Sequence, residues 1–260
     1  MSDRLLATAV VLTLNEQADL PACLAAIPPD LPVLVLDSGS TDSTVAIATA
    51  AGARTVVRPW TGFADQRNFA LRGCGLETPW ILFVDADERF PPAFYDWLRQ
   101  TLSGDPPVDV FETPSLLFLD GRPLRRAPGY PVLHPRLVRR EAAVFVPNHA
   151  GHGEMVGPCR RETAPIGYDH YFHSGDLLPW LAKHLKLAEA EAEAGAAPST
   201  ARGRIARLVG RGPARPFIRF LYHYLIRGGF RDGAAGLQYA MMYAWYDLTI
   251  HLLVRSRRER

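Results

Sequence analysis

A chain of 260 residues with 48% hydrophobic and 22% charged residues buries a sizeable core and is not disordered. Its formal net charge of +2 argues against nucleic acid as a partner. Cys23, Cys74 and Cys159, few and widely spaced with no Cys-x-x-Cys, argue against a disulfide framework or a thiolate zinc site.

Met-Ser-Asp-Arg leads straight into Leu6 to Leu14, a Val-, Leu- and Thr-rich run that reads as a buried strand, with no signal-peptide pattern before it. That strand ends on Asn15-Glu16 ahead of a helix, Ala18 to Ile27, which Pro28, Pro29 and Pro32 close. Val33 to Leu36 reads as a second strand stopping on Asp37-Ser38-Gly39-Ser40-Thr41-Asp42-Ser43-Thr44, with Asp42 or Ser43 placed to cap the helix Thr44 to Ala51. Gly52 ends that helix and Arg54 to Val57 supplies a third strand. A third helix carries Gln66-Arg67-Asn68 to about Arg72, and Ile81 to Val84 is a fourth strand stopping abruptly on Asp85, Asp87 and Glu88. Alternating strands and helices predict a doubly wound α/β fold with a mostly parallel, Rossmann-like sheet.

The first, second and fourth strands all end in polar loops, which a parallel sheet brings to one edge, where such folds place ligands. Carboxylates and hydroxyls there, with Arg67 nearby, suit a nucleotide. Asp85 and Asp87 suit a divalent cation, Mg2+ or Mn2+, shared with substrate phosphates. The competing reading has them capping the helix after Pro91 and Pro92. The glycine patterns of P-loop and dinucleotide sites are absent.

Four segments in order carry a resemblance: Val10 to Glu16, Val35 to Thr44, Phe63 to Asn68 and Phe83 to Glu88. They resemble the motif series of family 2 glycosyltransferases with the GT-A fold, and most closely the lipopolysaccharide core β-glucosyltransferase branch. The resemblance implies that Thr13, Asn15, Glu16 and Asp37 hold the uracil and ribose of a UDP-sugar. It implies that Arg67 fixes base or phosphate, that Asp85 contacts ribose or metal, and that Asp87 binds the metal bridging the diphosphate. The acceptor it implies is lipid-linked or a lipopolysaccharide core, met on the cytoplasmic face of the cell membrane, with glucose as the transferred sugar.

Beyond Pro91 the sequence predicts a helix, Ala93 to Thr101, and a strand, Val108 to Leu119, interrupted at Pro114 and turned back at Asp120 to Leu124. The branch resemblance continues through Arg136-Leu137-Val138-Arg139-Arg140 and then departs, because His152-Gly153-Glu154 interposes a glycine in a Val-His-Glu-like motif. Glu154 is the candidate general base of a one-step, inverting displacement. His134, His149, His152, His170 and His173 allow a zinc reading, without a His-Glu-x-x-His to support it. Ile166 to Phe172 is strand-like, and Asp176 is placed to cap a helix from Leu177 to about Gly195.

The expected division is a GT-A catalytic domain at 1–195 and a C-terminal helical region at 196–260. No acid falls between Glu193 and Asp232, a span that holds Arg202, Arg204, Arg207, Arg211, Arg215, Arg219, Arg227 and Arg231. Aromatic, arginine-flanked helices there suit an anionic membrane surface and a peripheral protein, while Gln238, Asp247 and His251 argue against a membrane span in Leu237 to Val254. Two other readings are a non-catalytic membrane-docked scaffold and a haloacid-dehalogenase-type phosphatase, whose Asp-x-Asp is usually followed two residues later by Thr or Val, where Arg89 stands here.

Overall fold

The computed structural model describes residues 6–146, 155–173, 177–194 and 212–258. They divide into two compact units, one of residues 6–115, 133–146 and 155–170, the other of 116–132, 171–173, 177–194 and 212–258. This division follows contacts, whereas the boundary at 195 follows composition, and it groups residues 177–194 with the C-terminal helices.

The first unit begins with β1 (Ala7–Thr13), α1 (Leu20–Ala25), β2 (Val33–Asp37), α2 (Thr44–Ala50), β3 (Arg54–Val57), α3 (Phe63–Gly73) and β4 (Trp80–Asp85). β5 (Glu88–Arg89) and α4 (Pro92–Ser103) follow. Strands lie in the order β3-β2-β1-β4, and β1 pairs in parallel with both β2 and β4. The mostly parallel α/β sheet is therefore as expected. Alternation along β1 sends Ala7, Ala9 and Val11 to one side, against Leu20 and Cys23 of α1 and Phe94 and Leu98 of α4. Val10 faces the other, with Ala70 and Leu71 of α3. Both faces are covered, which is why these strands are apolar at nearly every position.

The sheet continues through β8 (Val132–Arg139), β6 (Val110–Leu119) and β12 (Tyr168–His173) to β5, with β11 (Arg161–Thr163) on β6. β8 runs antiparallel to β4, and β12 antiparallel to β5. β6 passes unbroken through Pro114, against the expected interruption. Its neighbour there is Gly167, where a Cβ would lie 2.5 Å from the Pro114 carbonyl oxygen, so the glycine admits the proline-bearing strand. β9 (Phe145–Val146) and β10 (Met155–Val156) pair as a separate two-stranded ladder.

In the second unit β7 (Arg122–Leu124) pairs antiparallel with Leu117–Leu119, the expected hairpin. α5 (Leu177–Ala194), α6 (Arg215–Leu221), a π turn at Tyr222–Ile226 and a 3-10 turn at Gly229–Asp232 lead to α7 (Gly233–Arg258). Their core gathers Leu119, Leu124, Trp180, Tyr239 and Met242. No described helix is long and apolar enough to cross a membrane.

Candidate active site

β1 and β2 end in register, with Thr13 beside Asp37, and β4 ends one residue off that line, with Asp85 beside Leu12. The chain winds outward from β1 to β3 and then returns to the other side of β1 as β4, so the carboxyl ends of β1 and β4 flank the point where strand order reverses.

Asp37 is fully buried and organises the loop after β2. Its Oδ1 accepts from the backbone N–H of Gly39 (2.9 Å) and Ser40 (2.8 Å), and its Oδ2 from the hydroxyls of Thr13 (2.9 Å) and Ser40 (2.5 Å). Asn15 adopts a left-handed φ of 58°, its amide N–H donates to Ser40 Oγ (2.8 Å), and its Oδ1 accepts from the Thr41 N–H (2.8 Å). The Glu16 N–H donates to Thr44 Oγ1 (2.8 Å), and Asp42 Oδ1 accepts from the Thr44 N–H (3.0 Å) at the start of α2. Thr13, Asn15, Glu16 and Asp37 thus form one hydrogen-bonded cradle, with the Asp37 carboxylate as its internal anchor.

Arg67 is 1% exposed, so it is not a solvated helix residue. Its Nη2 donates to Asp85 Oδ1 (3.1 Å), and its guanidinium lies near the Phe83 and Phe145 rings. Asn68 exchanges two hydrogen bonds with the Phe145 backbone, both 2.8 Å, which pins β9 to α3. Arg136, buried on β8, donates from Nη2 to Asp85 Oδ2 (2.9 Å) and to Glu88 Oε1 (2.6 Å). Burial alone would raise the Asp85 pKa, but the Arg136 and then the Arg67 guanidinium hold it well below the usual carboxylate range. Glu88, with no exposed surface, is pushed up to about 7 by burial, against the attraction of Arg136.

Asp87 sits in the turn after β4. Its Oδ2 lies 3.2 Å from His170 Nε2, because β12 sets His170 opposite Glu88. Burial opposes a charge on His170, yet the Asp87 carboxylate carries its pKa up to about 9. His134 goes the other way, down to about 3, through burial and the nearby Arg136. Neither Asp85 nor Asp87 caps α4, whose N-cap is Pro91 with no side-chain hydrogen bond. Both oxygens of Asp85 are held by guanidinium groups, unlike the free nucleophilic carboxylate a phosphatase of the haloacid-dehalogenase type requires. Among the described residues no group of three or more His, Cys, Asp or Glu side chains stands together as a metal cluster. Glu154, His149 and His152 lie outside the described residues.

The glycosyl transferase family 2 model matches residues 8–163. The chain belongs to that family. It is a family 2 glycosyltransferase with a lipopolysaccharide-biosynthesis relative: the lipopolysaccharide core biosynthesis glycosyltransferase LpsC of Rhizobium meliloti is 28% identical over 95% of this chain and 90% of its own length. An uncharacterized glycosyltransferase of Rickettsia felis is 39% identical over 90 residues, 34% of this chain and 31% of that one. Among solved structures, S. aureus TarS residues 1–349 in complex with UDP-GlcNAc is 15% identical over 97% of this chain and 91% of that one, with a TM-score of 0.48. Glucosyl-3-phosphoglycerate synthase of Mycobacterium tuberculosis with Mn2+, UDP and phosphoglyceric acid is 28% identical over 43% of each chain, with a TM-score of 0.35.

The sequence singled out His170 only among the zinc candidates and Arg136 only within the branch-like segment Arg136 to Arg140, and tied neither to Asp85 or Asp87. The pattern offered one signal for Arg136, a charged residue inside a run, Pro135 to Val138, that is otherwise apolar.

Proposed function

We propose that this family 2 glycosyltransferase is an inverting enzyme that moves a sugar, glucose by branch resemblance, from a UDP-sugar to a lipid-linked or lipopolysaccharide-core acceptor. The observation that carries this reading is the convergence of three elements at the strand ends: the Asp37 cradle, the Arg67–Asp85–Arg136 cluster and the Asp87–His170 pair. The relative named for lipopolysaccharide core biosynthesis, matched over nearly its whole length, supports the acceptor class.

The cradle presents loop amides and hydroxyls of fixed orientation for the base and ribose, with Asp37 acting through the loop it shapes. Asp85 stays ionised, and although each oxygen meets a guanidinium, each retains a second lone pair on a side chain still 32% exposed, open to a ribose hydroxyl. Asp87 and His170 would hold a divalent cation, Mg2+ or Mn2+, in place of the proton they share: a carboxylate and, once that proton is displaced, an imidazole lie within ligand-sharing distance, and substrate phosphates complete such shells. When bound, that cation stabilises negative charge on the diphosphate leaving group. Glu154 takes the proton of the acceptor hydroxyl as that oxygen attacks the anomeric carbon. The arginines of the C-terminal region support a peripheral position on the cytoplasmic face of an anionic cell membrane, where such acceptors are held.

The test is the melting temperature with UDP, ADP, GDP and UDP-sugars, each with and without Mn2+, because a ligand of the native state raises it by mass action. A metal-dependent rise confined to uridine nucleotides is expected. No rise with any nucleotide would return the chain to the scaffold reading.

A further inference from the structure

The pair formed by α6 and α7 is inverted in polarity. Asp247 is 1% exposed in its interior, where its carboxylate meets the Arg215 Nη2 at 3.1 Å and the Arg219 Nε at 2.8 Å. The outward residues, by contrast, are apolar. Along α7 the exposed positions Leu237, Met241, Leu248 and Leu252 fall on one stripe, with Ala244 and Trp245 in the gap between the second and third. Phe217 on α6 is 65% exposed, and Ile226 in the π turn is 76% exposed. A shallow groove of about 380 Å³ runs between the helices, lined by Phe217, Phe220, Met241, Ala244, Trp245 and Leu248. A helix facing water reverses this order, with charge outside and apolar groups within.

The charges at the margins are mostly basic, the acids there being Asp120, which accepts from Gln238 of α7, and Glu193, which pairs with Arg257 at 2.9 Å. Within residues 212–258 both acids are engaged, Asp247 by its two arginines and Asp232 by the backbone N–H groups of Arg125, Arg126 and Ala127. Asp232 thereby gathers the exposed side chains of Arg125, Arg126 and Arg231 around the 3-10 turn, where the Arg231 guanidinium lies 5.5 Å from the half-exposed Phe230 ring.

We propose that the outward face of α6, the π turn and α7 lies in the headgroup layer of an anionic bilayer, its apolar stripe entering the acyl boundary and Arg126 and Arg231 meeting lipid phosphates. This deepens, and rests on, the membrane-facing reading above. A second copy of the chain would set one predominantly basic margin against another, whereas anionic headgroups complement it. No described helix is long and apolar enough to cross, so the helices lie in the plane of the surface.

The test is flotation of the full chain with phosphatidylcholine vesicles, with and without phosphatidylglycerol, and with brominated acyl chains that quench nearby tryptophan. The anionic vesicles should bind at least about tenfold more protein, and bromine should quench a signal that Trp245→Phe removes. The triple variant Phe217→Ser, Met241→Gln, Leu248→Gln, at exposed or groove-lining positions, should lose about tenfold or more of that binding, and Arg126→Gln with Arg231→Gln should lose the preference for phosphatidylglycerol. The triple variant should keep the melting shift given by UDP with Mn2+. Wild-type protein that shows the UDP shift but neither floats nor is quenched overturns the docking face and leaves the donor reading standing. Vesicle binding without a UDP shift does the reverse. A concentration-dependent dimer in sedimentation, abolished by the triple variant, assigns the face to a second copy and also overturns the proposal.

Discussion

His170 and Asp87 are 83 residues apart in sequence and 3.2 Å apart in space, joined because β12 returns beside the short strand β5. Replacing either should remove the Mn2+-dependent part of the UDP melting shift. His170→Ala should cut transfer by about tenfold or more, since one of the two proposed ligands is lost, and Asp87→Ala should abolish it. Metal-independent, undiminished turnover in Asp87→Ala would contradict the assignment.

Arg136 is buried between two carboxylates, so Arg136→Met should be costly beyond its lost contacts. It leaves Asp85 with one partner and Glu88 facing an apolar side chain, a change of about 3–5 kcal/mol for a broken buried pair. Adding Glu88→Gln should restore part of that loss, which a double-mutant cycle in urea measures directly.

Asp37→Asn should loosen the cradle although it preserves size. Asp37 accepts from four donors, and an amide nitrogen in place of one oxygen would face hydrogens with a hydrogen of its own. A loss of about 2 kcal/mol is expected, together with a weakened UDP shift. An unchanged melting curve would show that the loop does not depend on this carboxylate.

Glu154→Gln should keep the UDP shift and lose transfer by about 10²–10⁴-fold, the scale of a missing general base. Normal single-turnover rates in that variant would reassign the base.

His223 makes a pH dependence. Burial lowers its pKa, and the Arg219 and Arg227 cations act in the same direction, against a 2.8 Å hydrogen bond from Nδ1 to the Ala127 carbonyl and the more distant Asp247. The folded state therefore resists protonation that the unfolded chain accepts at about pH 6.5, so stability is lost as pH falls below that value. His223→Asn, which can still donate to Ala127, should show a flatter decline in melting temperature between about pH 7.5 and pH 5.5 than the wild type.

The strand ends were legible because each apolar run stops on polar residues: Asp37 and Asp85 close β2 and β4 as the patterns implied, and β1 ends at Thr13, one residue short of the expected Leu14. α1 is shorter than expected, Leu20–Ala25, because Pro21 fixes its first turn. The burial of Arg67 could not be read, since a guanidinium on a mixed helix looks solvated until Asp85, Phe83 and Phe145 close over it. Arg136 and His170 were hidden for a related reason. Their partners lie 48 and 83 residues away in sequence and are brought close by the sheet, and local pattern carries no record of such a juxtaposition. The grouping of α5 with the C-terminal helices likewise depends on contacts such as Trp180 with Trp245, which composition does not encode.

The family match ends at residue 163, and His170 stands seven positions beyond it. A fragment cut at the end of the matched span would keep the cradle, Arg67, Asp85, Asp87 and Arg136, and would be deprived of the imidazole. The matched span therefore carries the whole proposed nucleoside cradle but only half of the Asp87–His170 pair, and under the proposed cation role a chimera joining this span to another chain's C-terminal part would take its cation preference from the donor of that part.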